Sequence, residues 1–439
     1  MRVTIRIFLF ALASFLLTSL ASAQSPAAPA ASRDADLQLV VVLTRHGVRS
    51  PIGNTAALYG KYAVAPWAAW DVPPSYLTAH GYQLMKLFGT WDRTQFASQN
   101  LFAPTGCADA ARVSIVADSD QRTRETGKAL AEGMFPGCEI AVRAQAEGAT
   151  DPLFRPIEAG AVHPDTALAV AAVAGRIGGD PNHLTELYRS QLTLLDGVLA
   201  GCGHAPANAT RASIFTIPAS LAPGSGDTPA ALHGPVTTAA TMAENLLLQY
   251  TQGMSQADTG WGCIDAATLR TIMQVNSANW DYTKRTPATA RMIASTLLDR
   301  ILKTMQQSAN GAAAPGALGK PSDRLVILVG HDTNIVAVAG ALHIDWVFDG
   351  RVDDTPPGGA LLFELWRPRD GGKPFVRLEY TAQTLDQMRN SETLTPANPP
   401  AVAPIFVPGC SRQDLSCTWE GFSAAMHASI DPAYVAAQP

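Results

Sequence analysis

The run Leu37-Gln38-Leu39-Val40-Val41-Val42-Leu43, followed directly by Thr44-Arg45-His46-Gly47-Val48-Arg49-Ser50-Pro51, decides how this chain is read. A stretch so rich in leucine and valine reads as a buried strand of a parallel sheet. In open α/β sheets the carboxyl ends of such strands are where ligands bind. The strand therefore delivers two arginines and a histidine to a place suited to chemistry. Arginine forks match phosphate oxygens two at a time and stay charged at biological pH, and a neutral imidazole is a competent nucleophile. Gly47 lets the backbone turn sharply or approach an anion. At average amino-acid usage the pattern RHGxRxP arises by accident about once in 10^4 chains of this length. Taken alone, the octad would also suit a strand end with a solvated basic turn; the rest of the chain separates the two.

Two further strands end in the same manner. Residues 112–117 run into Asp118-Ser119-Asp120-Gln121-Arg122-Thr123-Arg124-Glu125, a polar turn opening a helix that stops at Pro136-Gly137. The run 324–330 ends in His331-Asp332-Thr333-Asn334 before an apolar helix. In a parallel sheet these ends share one edge, so Arg45, His46, Arg49, Arg122, His331 and Asp332 can converge on one tetrahedral anion. Phosphoryl transfer needs mainly positioning and charge neutralisation, and Asp332 is the acid available to protonate a leaving oxygen. Asp118 and Asp120 are read as holding Arg122 and capping the helix at its positive end.

The chain has 439 residues, 47% hydrophobic and 16% charged, with a net charge of -5. That composition is globular, and the absence of a basic stripe argues against nucleic acid as a partner. Residues 1–23 read as a signal peptide: Arg2 and Arg6, an apolar stretch over 7–20, then Ala21-Ser22-Ala23 before Gln24. The apolar stretch, at about fourteen residues, is short for a membrane span. A periplasmic or secreted protein with no membrane attachment after cleavage near Ala23 follows. Six cysteines fit an oxidising compartment. Cys410 and Cys417 form a natural short loop, Cys107 and Cys138 flank one strand–helix unit, and Cys202 with Cys263 remain by elimination. No cysteine or histidine cluster has the spacing of a zinc site.

Residues 24–35 form a low-complexity leader expected to be disordered. A long loop over 51–76 is too long to be idle, and Thr78 is placed to cap the helix that follows it. From about 155 to 285 helical periodicity dominates, near 181–199, 237–253 and 265–283. Strands resume after a helix at 287–307, and 360–366 and 375–380 alternate as an antiparallel or edge hairpin. The fold class expected is α/β, a mostly parallel sheet flanked by helices (36–154 and 286–439) with an inserted, mostly helical domain (155–285). Glu244, on one of the inserted helices, is read as solvent-facing and left outside the site. Trp261, between two glycines, is read as packing.

These motifs resemble the histidine acid phosphatases, in particular the bacterial periplasmic phytase and glucose-1-phosphatase branch. The resemblance spans nearly the whole mature chain and rests on Arg45–Pro51, Asp118–Gly127 and His331–Asn334, with Gly260-Trp261-Gly262 and Asp354–Gly359 as further landmarks. It implies that His46 forms a phosphohistidine, that Arg45, Arg49, Arg122 and His331 clamp phosphate, and that Asp332 protonates the leaving alcohol. It implies a small phosphomonoester as substrate, such as phytate or a sugar phosphate, and no cofactor or metal; a monomer is expected. A non-catalytic phosphate or sugar-phosphate binder on the same fold is the alternative, and it would be expected to have lost His46 or Asp332. One departure concerns substrate: where the family's phytases often carry Thr-Lys after the Arg-x-Pro segment, this chain has Ile52-Gly53.

Overall fold

The computed structural model describes residues 34–203 and 210–437. The expected signal peptide, and the expected leader up to residue 33, lie outside them; Ala35 already opens a strand. That strand, β1 (Ala35–Arg45), ends on the first arginine of the octad. The 51–76 loop holds a short helix, α1 (Thr55–Tyr59), and leads to α2 (Ala79–Ser98), where Thr78 accepts from the Gly81 N–H at 2.9 Å. A second unit follows: β2 (Val113–Ala117), α3 (Gln121–Met134) and β3 (Val142–Arg143).

Residues 155–285, expected as a helical insertion, contain α4 (Thr166–Arg176), α5 (Asn182–Leu187), α6 (Arg189–Leu199), a small hairpin of β4 (Ser220–Pro223) and β5 (Ala230–His233), then α7 (Pro235–Thr251) and α8 (Ala266–Thr283). The long α9 (Pro287–Asn310) returns the chain to the sheet for β6 (Leu325–Gly330) and α10 (Asp332–Leu342). The remainder comprises β7 (Val347–Phe348), β8 (Arg351–Val352), β9 (Ala360–Pro368), β10 (Phe375–Ala382), α11 (Leu385–Asn390), β11 (Ala401–Ile405), β12 (Cys417–Thr418) and α12 (Trp419–Ser429).

Among the described residues one eight-stranded sheet runs β11-β10-β9-β1-β6-β2-β3, with β12 also on β10. Its functional half is parallel: β1 pairs with β6, β6 with β2, and β2 with β3. The other half is antiparallel, so the sheet as a whole is mixed. The segment read as a hairpin thus supplies β9, which lies against β1 inside the sheet, and β10 beyond it. Register puts Arg45 beside Gly330, and Ala117 opposite Val329, so the three functional strands end level.

Alternation along each strand builds two cores. Leu39, Val41, Leu43, Val326 and Leu328 face one way, into an apolar body shared with α7, α8, α9 and α10. Val40, Val42, Ile115, Leu325 and Ile327 face the other way, onto α2 and α3. The inserted helices share the sheet's apolar core, which fixes them over the strand ends. Cys107–Cys138, Cys202–Cys263 and Cys410–Cys417 are the disulfides, matching the pairing read from spacing.

Candidate active site

Glycines allow the strand ends to meet. A Cβ on Gly47 would fall 2.8 Å from Met85 Cγ and 3.0 Å from Gly81 O, so only glycine lets β1 end this close to the start of α2. The Gly47 N–H is held by Thr126 Oγ1 at 2.9 Å, which ties the octad to α3. At the end of β6, a Cβ on Gly330 would meet Asn334 Oδ1 at 2.5 Å. That oxygen instead accepts from the His331 N–H at 2.9 Å, setting His331 at the head of α10 with Asp332 in its first turn.

All six candidate residues come together. His46, Arg49, Arg122, His331 and Asp332 line one cavity of about 800 Å³, and Arg45 lies beneath it, fully buried. His46 Nδ1 is 2.9 Å from Gly47 O. A carbonyl only accepts, so Nδ1 carries the hydrogen and Nε2 keeps the lone pair of the neutral ring. Burial, reinforced by Arg122, Arg49, Arg45 and His331, holds the His46 pKa well below its ordinary value. The neutral imidazole is thereby favoured over the cation.

The arginines are fixed from behind. Arg45 donates through Nη1 to Thr355 O at 2.5 Å, bonds Glu244 through Nη2, and has Asp332 Oδ2 at 3.3 Å. Burial opposes its charge, but Glu244 and Asp332 hold its pKa above the ordinary value. Arg49 donates to Ser50 O at 2.9 Å, and burial brings its pKa down to about 10, so it remains a cation. Arg122 is paired with Asp120 at 2.7 Å and lies 3.5 Å from His331 Nδ1. The Nε groups of all three arginines are buried and have no hydrogen-bond partner among the described residues. Buried unmet donors of one sign around one cavity suit an oxyanion.

Two sequence expectations are corrected here. Asp120 stands at the N-cap of α3 but makes no side-chain cap bond; its carboxylate serves Arg122. Asp118 holds His331, with Oδ2 2.6 Å from Nε2, and also pairs with Arg155 Nε at 2.9 Å. Burial would push the Asp118 carboxyl up, but the bond and charge of His331 and the Arg155 guanidinium bring it below its usual range. The ligand atoms of Asp118, Asp120 and His331 all lie within 4.8 Å of one another. They are already engaged with each other and with Arg122 and Arg155, so a cation there would face two guanidinium groups.

Glu244 is the clearest miss. It points into the site, bonded to Arg45 and 3.6 Å from Arg49. The available signal was the apolar character of its surroundings: Met242 through Thr251 are all buried, so a carboxylate within that stretch needs a partner. Arg155 and Lys284, both lining the cavity, were not singled out either. Trp261 packs edge-on against Trp67 at 5.0 Å, as expected.

A base-form histidine inside a cage of arginines is the donor set that phosphoryl-transfer chemistry asks for. Comparison with known proteins agrees. The family model described as histidine phosphatase superfamily (branch 2) matches residues 36–178 and 230–381. Phytase AppA of Escherichia coli (strain K12) is 32% identical over 412 residues, covering 90% of this chain and 93% of the relative. A glucose-1-phosphatase of Salmonella typhimurium is 27% identical over 383 residues, covering 85% and 87%. The structure of Hafnia alvei phytase in complex with tartrate superposes with a TM-score of 0.84 at 33% identity, covering 92% of this chain and 100% of that one. The chain belongs to branch 2 of the histidine phosphatase superfamily and is an enzyme of the histidine acid phosphatase type.

Proposed function

We propose that this chain is an exported acid phosphatase that hydrolyses small phosphomonoesters through a phosphohistidine on His46, with phytate and sugar phosphates as its candidate substrates. The observation that carries this reading is the His46 ring: Nδ1 is committed to Gly47 O, leaving the lone pair on Nε2 of a ring that lines a cavity walled by arginines. In the first step Nε2 bonds to phosphorus as the bond from phosphorus to the ester oxygen breaks. Arg45, Arg49, Arg122 and His331 take the charge of the three equatorial oxygens. A proton from Asp332 goes to the departing alcohol. In the second step water attacks phosphorus, gives a proton to Asp332, and releases inorganic phosphate and free His46.

Asp332 is ionised in the free site. Burial would raise its pKa, but Arg45, Arg49, His331 and the Thr333 N–H at 2.8 Å hold it below the ordinary value. The leaving-group proton therefore arrives with a monoanionic substrate. Once the phosphate occupies the arginines, their pull on Asp332 weakens and the carboxylate can take that proton up and pass it on. Export is supported by residues 1–23 and by the three disulfides; among the described residues no helix is long and apolar enough to cross a membrane.

The test is hydrolysis of phytate and of glucose 1-phosphate by one preparation, with His46→Ala as the blank, together with alkaline trapping of a phosphorylated protein. Phosphate release and a trapped, base-stable phosphoenzyme that both vanish in His46→Ala are expected. Full activity in His46→Ala would overturn the covalent route, and phosphate binding without turnover would favour the non-catalytic reading.

A further inference from the structure

Asp354–Gly359, one of the landmarks of the sequence, passes beneath the octad and holds it at three points. The Arg45 N–H donates to Gly359 O at 2.9 Å, and the Gly358 N–H donates to His46 O at 3.0 Å. The third point holds a side chain: Arg45 Nη1 donates to Thr355 O at 2.5 Å. The direction of that carbonyl is set on both sides. Pro356 follows it and disfavours helical backbone at Thr355, and the Thr355 N–H is tied to Asp354 Oδ1 at 2.9 Å.

The Asp354 carboxylate is itself braced. Its Oδ2 accepts from Arg351 Nη1 at 2.6 Å. Arg351 Nη2 is 3.2 Å from Asp349 Oδ2, and the guanidinium lies over the Phe348 ring, 4.7 Å from its centroid. The Asp354 carbonyl accepts from Trp346 Nε1 at 3.1 Å, and Trp346 stacks on Tyr380 at 4.4 Å. Asp354 and Arg351 are both buried, and neither is among the described residues that wall the cavity. A buried ion pair adds little to stability beyond what well-packed apolar side chains would give. This one ends a single residue before the carbonyl that holds Arg45. Burial opposes the charge of Arg45, and the Asp354 carboxylate joins Glu244 and Asp332 in sustaining it.

We infer that Asp354, braced by Arg351, is a positioning residue: through the Thr355 carbonyl it orients Arg45, the arginine on which the transferred phosphate rests at the floor of the site. This rests on the phosphatase reading above. Arg49, Arg122 and His331 still hold a bound ester when Arg45 is misdirected. The loss therefore falls on the step in which charge spreads over the equatorial oxygens, and shows in kcat more than in KM.

The experiment measures kcat and KM for p-nitrophenyl phosphate at pH 5 and 25 °C, with the melting temperature of each variant followed alongside. Asp354→Ala removes both contacts of the carboxylate. The double variant Arg351→Gln/Asp354→Asn replaces the ion pair by two amides and keeps an acceptor for the Thr355 N–H. Asp354→Ala is expected to lower kcat about tenfold or more, with KM within about threefold. The double variant should bring kcat back to within about threefold of wild type. A folded Asp354→Ala with wild-type kcat and only a lower melting temperature would make the pair a structural brace and overturn the inference. A folded double variant that recovers nothing would overturn it too. Should Asp354→Ala not fold, Arg351→Met decides, since it leaves both Asp354 oxygens in place and frees the carboxylate. A fall in kcat of about threefold or more is then expected, and wild-type kcat overturns the inference. If wild type fails to hydrolyse p-nitrophenyl phosphate, the phosphatase reading fails instead, and the two failures are told apart.

Discussion

Asp118 Oδ2 lies 2.6 Å from His331 Nε2, joining the end of β2 to the head of α10 across the sheet edge. The same oxygen is ion-paired with the Arg155 guanidinium, Nε lying 2.9 Å away, and Asp118 Oδ1 accepts from Arg155 Nη2 at 3.2 Å and from the Ser119 N–H at 2.7 Å. The ring of His331 is thus set by a carboxylate that is itself fixed on two sides. Replacing Asp118 by Asn keeps the shape but removes the charge that His331 and Arg155 share. We expect kcat on aryl phosphate to fall about 10- to 100-fold, with KM moving less, because His331 loses its orientation while the arginines remain. A fall in KM-linked binding alone, with kcat preserved, would contradict this role.

The reaction's pH dependence follows from where the protons sit. Asp332 is held below the ordinary carboxylate range in the free enzyme, and His46 well below the ordinary imidazole value. Both directions favour the reactive forms, an ionised Asp332 and a neutral His46, in mild acid. The alkaline limb is set by the substrate, whose second ionisation lies near 6. A profile falling above about 6 is expected. Asp332→Asn should cost about 100-fold on alkyl phosphates and much less on p-nitrophenyl phosphate, whose leaving group needs little protonation. Equal losses on both esters would remove Asp332 from the role of acid.

Much of this site was legible in the sequence because three strands end in charge, and a parallel sheet brings such ends together. The register of β1, β6 and β2 shows how well that geometric rule served. Glu244 was lost for the opposite reason. It is 199 residues from Arg45 and sits on a helix of the insertion, so its direction depends on how that helix lies over the sheet. Only the apolar run around it, buried from Met242 to Thr251, could have betrayed it. Lys284 and Arg155 lie in turns, where periodicity carries no information about facing. The antiparallel pair over 360–366 and 375–380 was legible from alternation, and β9 with β10 bears it out; that β9 sits inside the sheet against β1 was not, because pairing partners far apart in sequence leave no local pattern.

The disulfides bind the periphery and not the chemistry. Cys107–Cys138 closes the unit around β2 and α3, and Cys202–Cys263 links the end of α6 to the turn before α8. Each removes freedom from the unfolded chain. Reduction should lower the melting temperature by several degrees or more, while activity on aryl phosphate at 25 °C stays within about twofold. Unchanged melting after verified reduction would show that these links do not stabilise the fold.

Glu364 is the counterpart of this picture in the antiparallel half. It is fully buried on β9 and accepts from Trp366 Nε1 at 2.9 Å. Arg377 stands opposite it in register, and Glu379 is two residues further along on the same face of β10. Burial first, and the Glu379 carboxylate second, push the Glu364 carboxyl up to about 8. The folded pKa lies above the unfolded value of about 4.3, so this group's contribution is fully present below about pH 4 and is lost as pH rises towards 8. The fold is therefore better suited to acid than to neutral pH at this point. Glu364→Gln keeps the acceptor for Trp366 and removes the ionisation. It should raise the melting temperature by roughly 2–4 °C at pH 7.5 and have almost no effect at pH 4.5. Melting curves at the two pH values decide it, and an equal shift at both would place the effect in packing and not in the carboxyl's proton.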